Sequence, residues 1–156
     1  MTRLRRGGEK GLTLVEVLVT IAVLLILAGA VMPLAKVTLK RQKELELRRD
    51  LRTMRQAIDL YKQYADQGLI EKEGVDSEGY PPDLETLVKG VPQVGTTKKI
   101  KFLRRVPFDP FTHEDEWGLR SYQDEPDSKS WGRQNVYDVY TLYSGKALDG
   151  TEYQDW

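Results

Sequence analysis

Glu16 is the only charged residue in an apolar stretch that extends from residue 12 to residue 35. A helix of this length, at about 1.5 Å per residue, covers roughly 36 Å, whereas the hydrocarbon core of a bilayer is about 30 Å thick. An unpaired carboxylate in such a segment costs on the order of 3 kcal/mol on insertion scales. We therefore expect Glu16 to need a cationic partner in the surroundings of this helix.

The residues before the apolar stretch predict its orientation. They are mainly basic, with Arg3, Arg5, Arg6 and Lys10 against Glu9 alone. Such a flank stays in the cytoplasm, so the bulk of the chain is expected on the other side of the membrane. A secretory signal peptide cleaved after Ala30 is the alternative. It is disfavoured because Glu16 would fall in its apolar region and because the helical pattern continues past that cleavage point.

A cut between Gly11 and Leu12 would instead leave Glu16 one helical turn from a new α-amino group. The segment KGLTLVEVLVTIAVLLILAGAVMP resembles the N-terminus of type IV pilins and type II secretion pseudopilins. That pattern has a short basic leader ending in Gly, an apolar or aromatic first residue, Thr at the second position and Glu at the fifth. The resemblance implies that a prepilin peptidase cleaves after Gly11 and N-methylates Leu12, although Phe or Met is more usual than Leu at this position.

The same resemblance implies that Glu16 acts in subunit assembly. The α-amine of Leu12 on a neighbouring subunit would neutralise the carboxylate only if the subunits pack with a fixed axial stagger. Thr13 and Pro33 are assigned to the same assembly region. Pro33 removes one backbone donor inside the helix and predicts a kink or local melting. A simple helix terminator at the membrane surface is the alternative for Pro33.

Beyond Lys36 the helical pattern becomes amphipathic, and one helix is predicted from about Leu12 to Gln67, with Gly68 as its stop. Basic residues on its other faces alternate with acidic ones, which predicts a solvated face rather than a nucleic-acid site. The apolar positions are spaced by threes and fours: Leu47, Leu51, Met54, Ile58, Tyr61 and Ala65.

The rest of the chain predicts a small domain whose core is completed by that apolar stripe. The segment YPPDLETLVKG predicts a short helix with Asp83 as its N-cap and Gly90 as its stop. The segments WGLRSYQDE and NVYDVYTLYSG predict an antiparallel strand pair. The fold class is α+β and pilin-like, with a long N-terminal helix packed on a small antiparallel sheet. Its predicted parts are a leader (1–11), a membrane-spanning or filament-core helix (12–35), an amphipathic continuation (36–67) and a globular domain (68–156).

Three later blocks extend the resemblance to the G-type major pseudopilins. They are YPPDLETLV, VPFDPFTHEDEWG and SWGRQNVYDVYTLYSGKALDGTEYQDW, in the order that the family has them. The chain contains no cysteine. It therefore lacks the C-terminal cysteine pair of many type IV pilins, which favours a pseudopilin.

The C-terminal segment corresponds to a region where this family often holds calcium. Asp149 and Asp155 match the family ligands in type and approximate place, and Ca²⁺ takes six to eight oxygen ligands. The acid-rich insert usual between them is shortened to TEYQ in this chain. The alternative is an Asp-Gly turn with Trp156 packed as a plug. No other cofactor is expected.

Three further segments carry residue types that also occur at functional sites. His113 lacks a second histidine at zinc-site spacing, which favours a solvated acidic loop. The segment from Lys98 to Arg105 is more typical of a half-buried connector than of a nucleic-acid patch, and Asp109 is expected to bond backbone amides in a proline turn. The chain has 24 basic and 24 acidic residues, so it is not expected to bind nucleic acid. No nucleophile–base pair or phosphate loop is recognised, and no enzyme activity is expected.

The resemblance implies a major pseudopilin that polymerises into a short periplasmic filament and helps to drive export across the outer membrane. Its implied partners are further copies of itself, minor pseudopilins, a prepilin peptidase and an inner-membrane assembly platform. Its implied location is the bacterial inner membrane, as a single-pass protein with a periplasmic C-terminal domain. A type IV pilin is the first alternative. An unprocessed, single-pass anchored binding domain is the second.

Processing gives a direct test of these interpretations. We expect the mature chain to begin with N-methylated Leu12, because the basic leader ends at Gly11 directly before the apolar stretch. Intact-mass analysis of the chain extracted from membranes measures this. A chain that begins at Val31, or one that retains Met1, would contradict the prediction.

Overall fold

The computed structural model describes residues 11–72, 74 and 77–156, and it leaves out the side chains of residues 30–34. The predicted leader, apart from Gly11, lies outside these described residues. The chain divides into two compact units, residues 1–39 and residues 40–156.

One helix dominates the chain. Helix α1 extends over Leu14–Asp66 and continues through position 33 without interruption. It ends as its sequence predicts: Gly68 has a φ of 68°, its N–H bonds to the carbonyl of Ala65, and the N–H of Leu69 bonds to the carbonyl of Tyr64. These two bonds are the Schellman pattern, which satisfies carbonyl groups of the last turn that would otherwise lack a donor.

In the first unit, the described part of α1 presents apolar side chains on all of its faces. Every large apolar residue between positions 12 and 27 is exposed, from 37% at Val17 to 77% at Leu14. Within the part of the chain that the structure describes, no helix combines the length and the apolar character that crossing a membrane requires.

In the second unit, the predicted stripe on α1 forms one wall of the core. Opposite it lie Leu87, Val136, Val139 and Tyr153, each at most 1% exposed. This packing joins the helix to the later segments in a single α+β arrangement and confirms the predicted fold class. The stripe residues are all buried: Leu47, Leu51, Met54, Ile58, Tyr61 and Ala65.

The predicted short helix is present as α2, which extends over Leu84–Lys89. The side chain of Asp83 accepts a hydrogen bond of 2.7 Å from the N–H of Thr86. Gly90 ends the helix with a φ of 77° and a ψ of 156°, a backbone region that only glycine occupies readily. Both assignments made from the sequence are therefore confirmed.

Among the described residues, four short strands form two separate antiparallel pairs. Strands β1 (Val91–Pro92) and β2 (Lys99–Ile100) form one pair. Strands β3 (Gly118–Arg120) and β4 (Asp138–Tyr140) form the other. The second pair confirms the predicted strands, which are shorter than the sequence blocks that predicted them. Two-stranded pairs are marginal in water, so both depend on packing against the helix.

The proline turn and the basic connector also adopt the predicted arrangements. Asp109 is fully buried and accepts hydrogen bonds from the backbone N–H of Phe111 at 2.7 Å and from the hydroxyl of Thr141. In the connector, Leu103 is buried, while Phe102 packs against the rings of Tyr61 and Tyr64. The connector's cationic side chains remain at the surface.

Gly90 and Gly95 offer a matched test of this part of the fold. Both have a φ of 77°, but an added Cβ at Gly90 would lie 2.5 Å from the carbonyl oxygen of Ile100, whereas at Gly95 it would meet nothing within 4 Å. We expect Gly95→Ala to cost about 1–2 kcal/mol through backbone strain alone. Gly90→Ala should cost about 1–3 kcal/mol more through the clash.

The measurement is thermal unfolding of the fragment 36–156, which contains the whole core. Each kcal/mol should lower the melting temperature by roughly 2–6 °C for a fragment of this size. Equal losses for the two variants would show that the approach of β2 to Gly90 does not constrain the fold.

Candidate assembly site and C-terminal loop

Thr13 begins helix α1. Its hydroxyl oxygen accepts a hydrogen bond of 3.2 Å from the N–H of Glu16. Its carbonyl oxygen accepts the first backbone hydrogen bond of the helix, from the N–H of Val17. Thr13 is therefore the N-cap. The spacing Thr-x-x-Glu is the capping-box pattern, a local signal that the sequence analysis passed over. It gives Thr13 a structural role, which is to fix the helix start three residues before Glu16.

Glu16 lies in the first turn of α1, where its charge complements the positive end of the helix dipole. It is exposed, and no cation of the described residues lies within ion-pair distance of it. The bond between Gly11 and Leu12 precedes the helix, and both residues are exposed. The roles predicted for Gly11, Leu12 and Glu16 require other molecules, so they stay predictions.

Pro33 falls within the helical span of α1, but its side chain is outside the described residues. Its predicted role in subunit packing therefore also stays a prediction. The helix nevertheless continues for many residues beyond it, to Asp66, so Pro33 does not terminate α1.

The C-terminal loop is closed by hydrogen bonds around Asp149. One carboxylate oxygen accepts from the N–H of Thr151 at 3.0 Å and from its hydroxyl at 2.6 Å, and the other lies 3.5 Å from the guanidinium of Arg48. These hydrogen bonds, and secondarily the charge of Arg48, lower the pKa of Asp149 below its ordinary value of 3.8. Gly150 follows with a φ of 89°.

Trp156 covers this turn. Its indole N–H donates to the hydroxyl of Thr151 at 2.8 Å, and the guanidinium of Arg48 lies 3.8 Å from the ring centroid. Tyr153 meets the indole edge-on at 5.0 Å. This is the geometry of the Asp-Gly turn with a packed tryptophan that the sequence left as the alternative to calcium.

The contacts of Asp149 are those of a hydrogen-bonded turn, and calcium ligation by Asp149 and Asp155 stays a prediction. Asp149 is engaged by Thr151 and Arg48, and a nearby guanidinium opposes a dication. Among the residues that the structure describes, no group of three or more acidic, histidine or cysteine side chains is placed to hold a metal ion.

Charged residues of α1 hold the same loop from the helix side. Glu44 accepts hydrogen bonds of 2.8 Å from the hydroxyl of Tyr153 and from the N–H of Leu148. Burial, and then the bond to Glu44, raise the pKa of Tyr153 above its ordinary value. Lys40 donates to the carbonyl of Lys146 at 2.6 Å. The prediction of a merely solvated face is wrong for these positions, because their side chains bond to the C-terminal loop. That loop is far from the helix in sequence, so the spacing of charges along the helix does not indicate the contact.

Arg55 makes the most extensive of these contacts. Its guanidinium donates to the carboxylate of Asp138 at 2.6 Å, to the carbonyl of Val139 at 3.0 Å and to the main-chain oxygen of Trp156 at 2.7 Å. Arg120 reaches the other oxygen of Asp138 at 3.3 Å. One helix residue thereby joins strand β4 to the C-terminal loop.

His113 is exposed and has a φ of 63°. Its N–H donates to the carbonyl of Asp109 at 2.8 Å, so its backbone closes the proline turn. The neighbouring acidic residues are exposed, which agrees with the predicted solvated loop.

Comparison with known proteins gives two findings. Residues 6–32 match the family model described as the prokaryotic N-terminal methylation motif. The chain is also 28% identical, over 155 residues, to the type II secretion system core protein G of Pseudomonas aeruginosa. That alignment covers 96% of this chain and 90% of the relative. No solved structure matches the chain significantly.

The loop geometry predicts how Asp149 affects stability. Asp149→Ala should lower the melting temperature of the fragment 36–156 at neutral pH, because it removes the acceptor for Thr151 and the partner of Arg48. Since the pKa of Asp149 is lowered by folding, its stabilisation is present above pH 3.8 and is lost as the pH falls through the folded-state value. The difference between variant and wild type should therefore shrink in acid. Asp127→Ala, at an exposed acid, is the control and should melt like the wild type.

The same fragment tests for calcium. If Asp149 and Asp155 ligate the ion, a chelator should lower the melting temperature of the wild type, and Asp149→Ala should abolish that sensitivity. A melting curve that chelation leaves unchanged would reject a calcium site and support closure of the loop by hydrogen bonds.

Proposed function

We propose that this chain is a type II pseudopilin, a structural subunit, that polymerises through its N-terminal helix into a short periplasmic filament. The filament would drive protein export across the outer membrane. The prepilin motif and the similarity along nearly the whole chain support this assignment. A type IV pilin is less favoured, because the relative with that similarity is a secretion core protein.

The apolar surface of the first half of α1 is the observation that carries the proposal. Its large apolar side chains are exposed on every face between residues 12 and 27. An apolar surface of this extent is stable only in lipid or against other apolar helices. The inner membrane would supply the lipid environment before assembly. The filament would then supply the second environment, as a bundle of identical helices.

Glu16 would set the register of that bundle. Removal of the leader after Gly11 creates a positive α-amine on Leu12, and the cap made by Thr13 fixes the start of the helix that carries Glu16. A carboxylate in an apolar surrounding is stable only when a cation neutralises it. The amine of a neighbouring subunit meets that requirement at one axial offset, so pairing would select one stagger.

The remaining assignments follow from this role. A prepilin peptidase would cut at Gly11, an inner-membrane platform would add subunits, and minor pseudopilins would share the filament. The globular part would lie in the periplasm. Residues 12–35, some of whose side chains lie outside the described part of the chain, would hold the subunit in the membrane before assembly. No catalytic role, cofactor or nucleic-acid partner is proposed, because the mechanism needs only the packing of the helices.

Glu16→Ala provides the test. The variant should insert and be cleaved normally, because removal of a charge from an apolar helix eases insertion. It should fail to polymerise efficiently, since the neighbour's amine is left unpaired at a cost of about 3–5 kcal/mol by analogy with broken buried pairs. Glu16→Gln should fall between, because an amide accepts a hydrogen bond without neutralising the charge.

The measurement is co-expression with the cognate assembly machinery, with sheared filaments and membrane-extracted monomer scored separately. Glu71→Ala, at an exposed acid after α1, is the matched control and should polymerise like the wild type. A normal filament yield from correctly processed Glu16→Ala would contradict the register mechanism.

A further inference from the structure

Three tyrosines form a cluster at the surface of the second unit. The rings of Tyr80 and Tyr122 are stacked with their centroids 5.8 Å apart, and Tyr137 meets them edge-on at 5.2 Å and 5.4 Å. Tyr122 is 56% exposed and Tyr137 is 45% exposed. Grouped, exposed tyrosines are characteristic of binding surfaces, because each ring supplies apolar area at a low cost in side-chain entropy.

Acidic residues adjoin this cluster. Tyr122 and Tyr137 line a cavity of about 450 Å³ whose other lining residues are Arg120, Ser121, Asp124, Pro126 and Asp138. Arg120 is paired with Asp138 at 3.3 Å. The loop that contains Pro126 also carries Glu125 and Asp127, which are exposed. Asp124 is committed to its own loop, since it accepts hydrogen bonds from the N–H groups of Ser121 and Gly132. We call the surface made by Tyr80, Tyr122, Tyr137, Glu125 and Asp127 the acidic tyrosine patch.

The chemistry of the patch favours a cationic partner. Aromatic ring faces attract ammonium and guanidinium groups, and neighbouring carboxylates add ionic hydrogen bonds. One such contact already exists within the chain, where the ammonium of Lys62 lies 5.4 Å from the ring centroid of Tyr80. The rings of Tyr122 and Tyr137 and the carboxylates of Glu125 and Asp127 remain at the surface for a second cation.

The chain carries a matching basic surface. The segment 98–105 has five exposed cationic side chains, and none of them forms an ion pair with another described residue. Its backbone is held by strand β2 and by the buried Leu103, so the cations are presented from a fixed base. We call this surface the basic segment, and its cations are Lys98, Lys99, Lys101, Arg104 and Arg105.

We propose that the basic segment of one copy of this chain docks on the acidic tyrosine patch of the next. The proposal rests on the function proposed above, and it adds a contact between globular domains to the packing of the helices. Two different surfaces that bind each other make a heterologous contact, which extends into an open filament when the rotation does not close. Separated patches of opposite charge let copies of one chain attract each other in addition to the packing of their helices.

A charge exchange tests the contact. The double variant Glu125→Lys with Asp127→Lys brings like charges together, and the double variant Arg104→Glu with Arg105→Glu lowers the charge of the basic segment from five to one. Each should lower the filament yield about tenfold or more, because the attraction between the two surfaces is lost. The quadruple variant places two new glutamates opposite two new lysines and should recover part of the wild-type yield. Glu114→Lys with Asp115→Lys makes the same change of charge in another exposed acidic loop, and it should leave the yield unaltered.

Crosslinking gives a second, direct measurement, for which the cysteine-free chain is a clean background. Copies that carry Arg105→Cys and differently tagged copies that carry Asp127→Cys are co-expressed and treated with a short bismaleimide. A crosslinked species that contains both tags is expected. Copies with Asp115→Cys in place of Asp127→Cys should give none.

The outcomes separate the two proposals. A wild-type chain that forms no filament with its cognate machinery would reject the proposed function itself. If the wild type polymerises, then normal yields from both double variants, or an unrecovered quadruple variant that melts like the wild type, would overturn the docking of a second copy. Loss of yield without a mixed-tag crosslink would do the same, and would indicate that the patch binds a different protein.

Discussion

Burial of the apolar stripe on α1 is the constraint on which the second unit depends. Leu47, Met54 and Ile58 are fully buried. In the described part of the chain, the segments that bury them contain a six-residue helix, a short 3-10 helix and two pairs of strands. Pairs of this size do not hold together by themselves in water. The helix therefore supplies the wall against which the later segments fold, and loss of that wall would leave no independent core.

The residues that border the stripe give this packing its specificity. Glu44, Arg48 and Arg55 lie on the same helix as the stripe, and each binds the C-terminal loop or strand β4 through a defined hydrogen bond or ring contact. The apolar core supplies the driving force, because burial does not depend on direction. The directional contacts select one placement of the loop. Hydrogen bonds and ring contacts with α1 hold the described C-terminal loop in this placement.

Both halves of α1 are helical, but the first half is suited to an apolar environment and the second half to packing on a domain in water. In the first half the apolar side chains surround the helix, so its backbone groups are satisfied internally while its surface needs an apolar environment. In the second half the apolar residues occupy one face, which suits a helix that packs on a domain in water. The carboxylate of Glu16 is the exception in the first half, and its position in the capped first turn offsets only part of the cost of its charge.

The sequence by itself determined the elements whose causes are local. The stripe on α1, the stop at Gly68 and the caps of α2 at Asp83 and Gly90 each depend on residues within a few positions of one another, so composition and spacing suffice to predict them. The prepilin motif is local in the same sense.

Only the tertiary structure decided the pairing of β1 with β2, the clamp from Arg55 to Trp156 and the tyrosine cluster. Each of these joins segments separated by intervening loops. The periodicity of residue types along the sequence does not indicate which of such separated segments come into contact. The loop around Asp149 shows the difference most clearly. Its sequence allowed either a metal-ion site or a hydrogen-bonded turn. In the structure Arg48, which lies on α1 about a hundred residues earlier, is placed beside Asp149. Its guanidinium supplies the positive charge next to the carboxylate, which favours the turn.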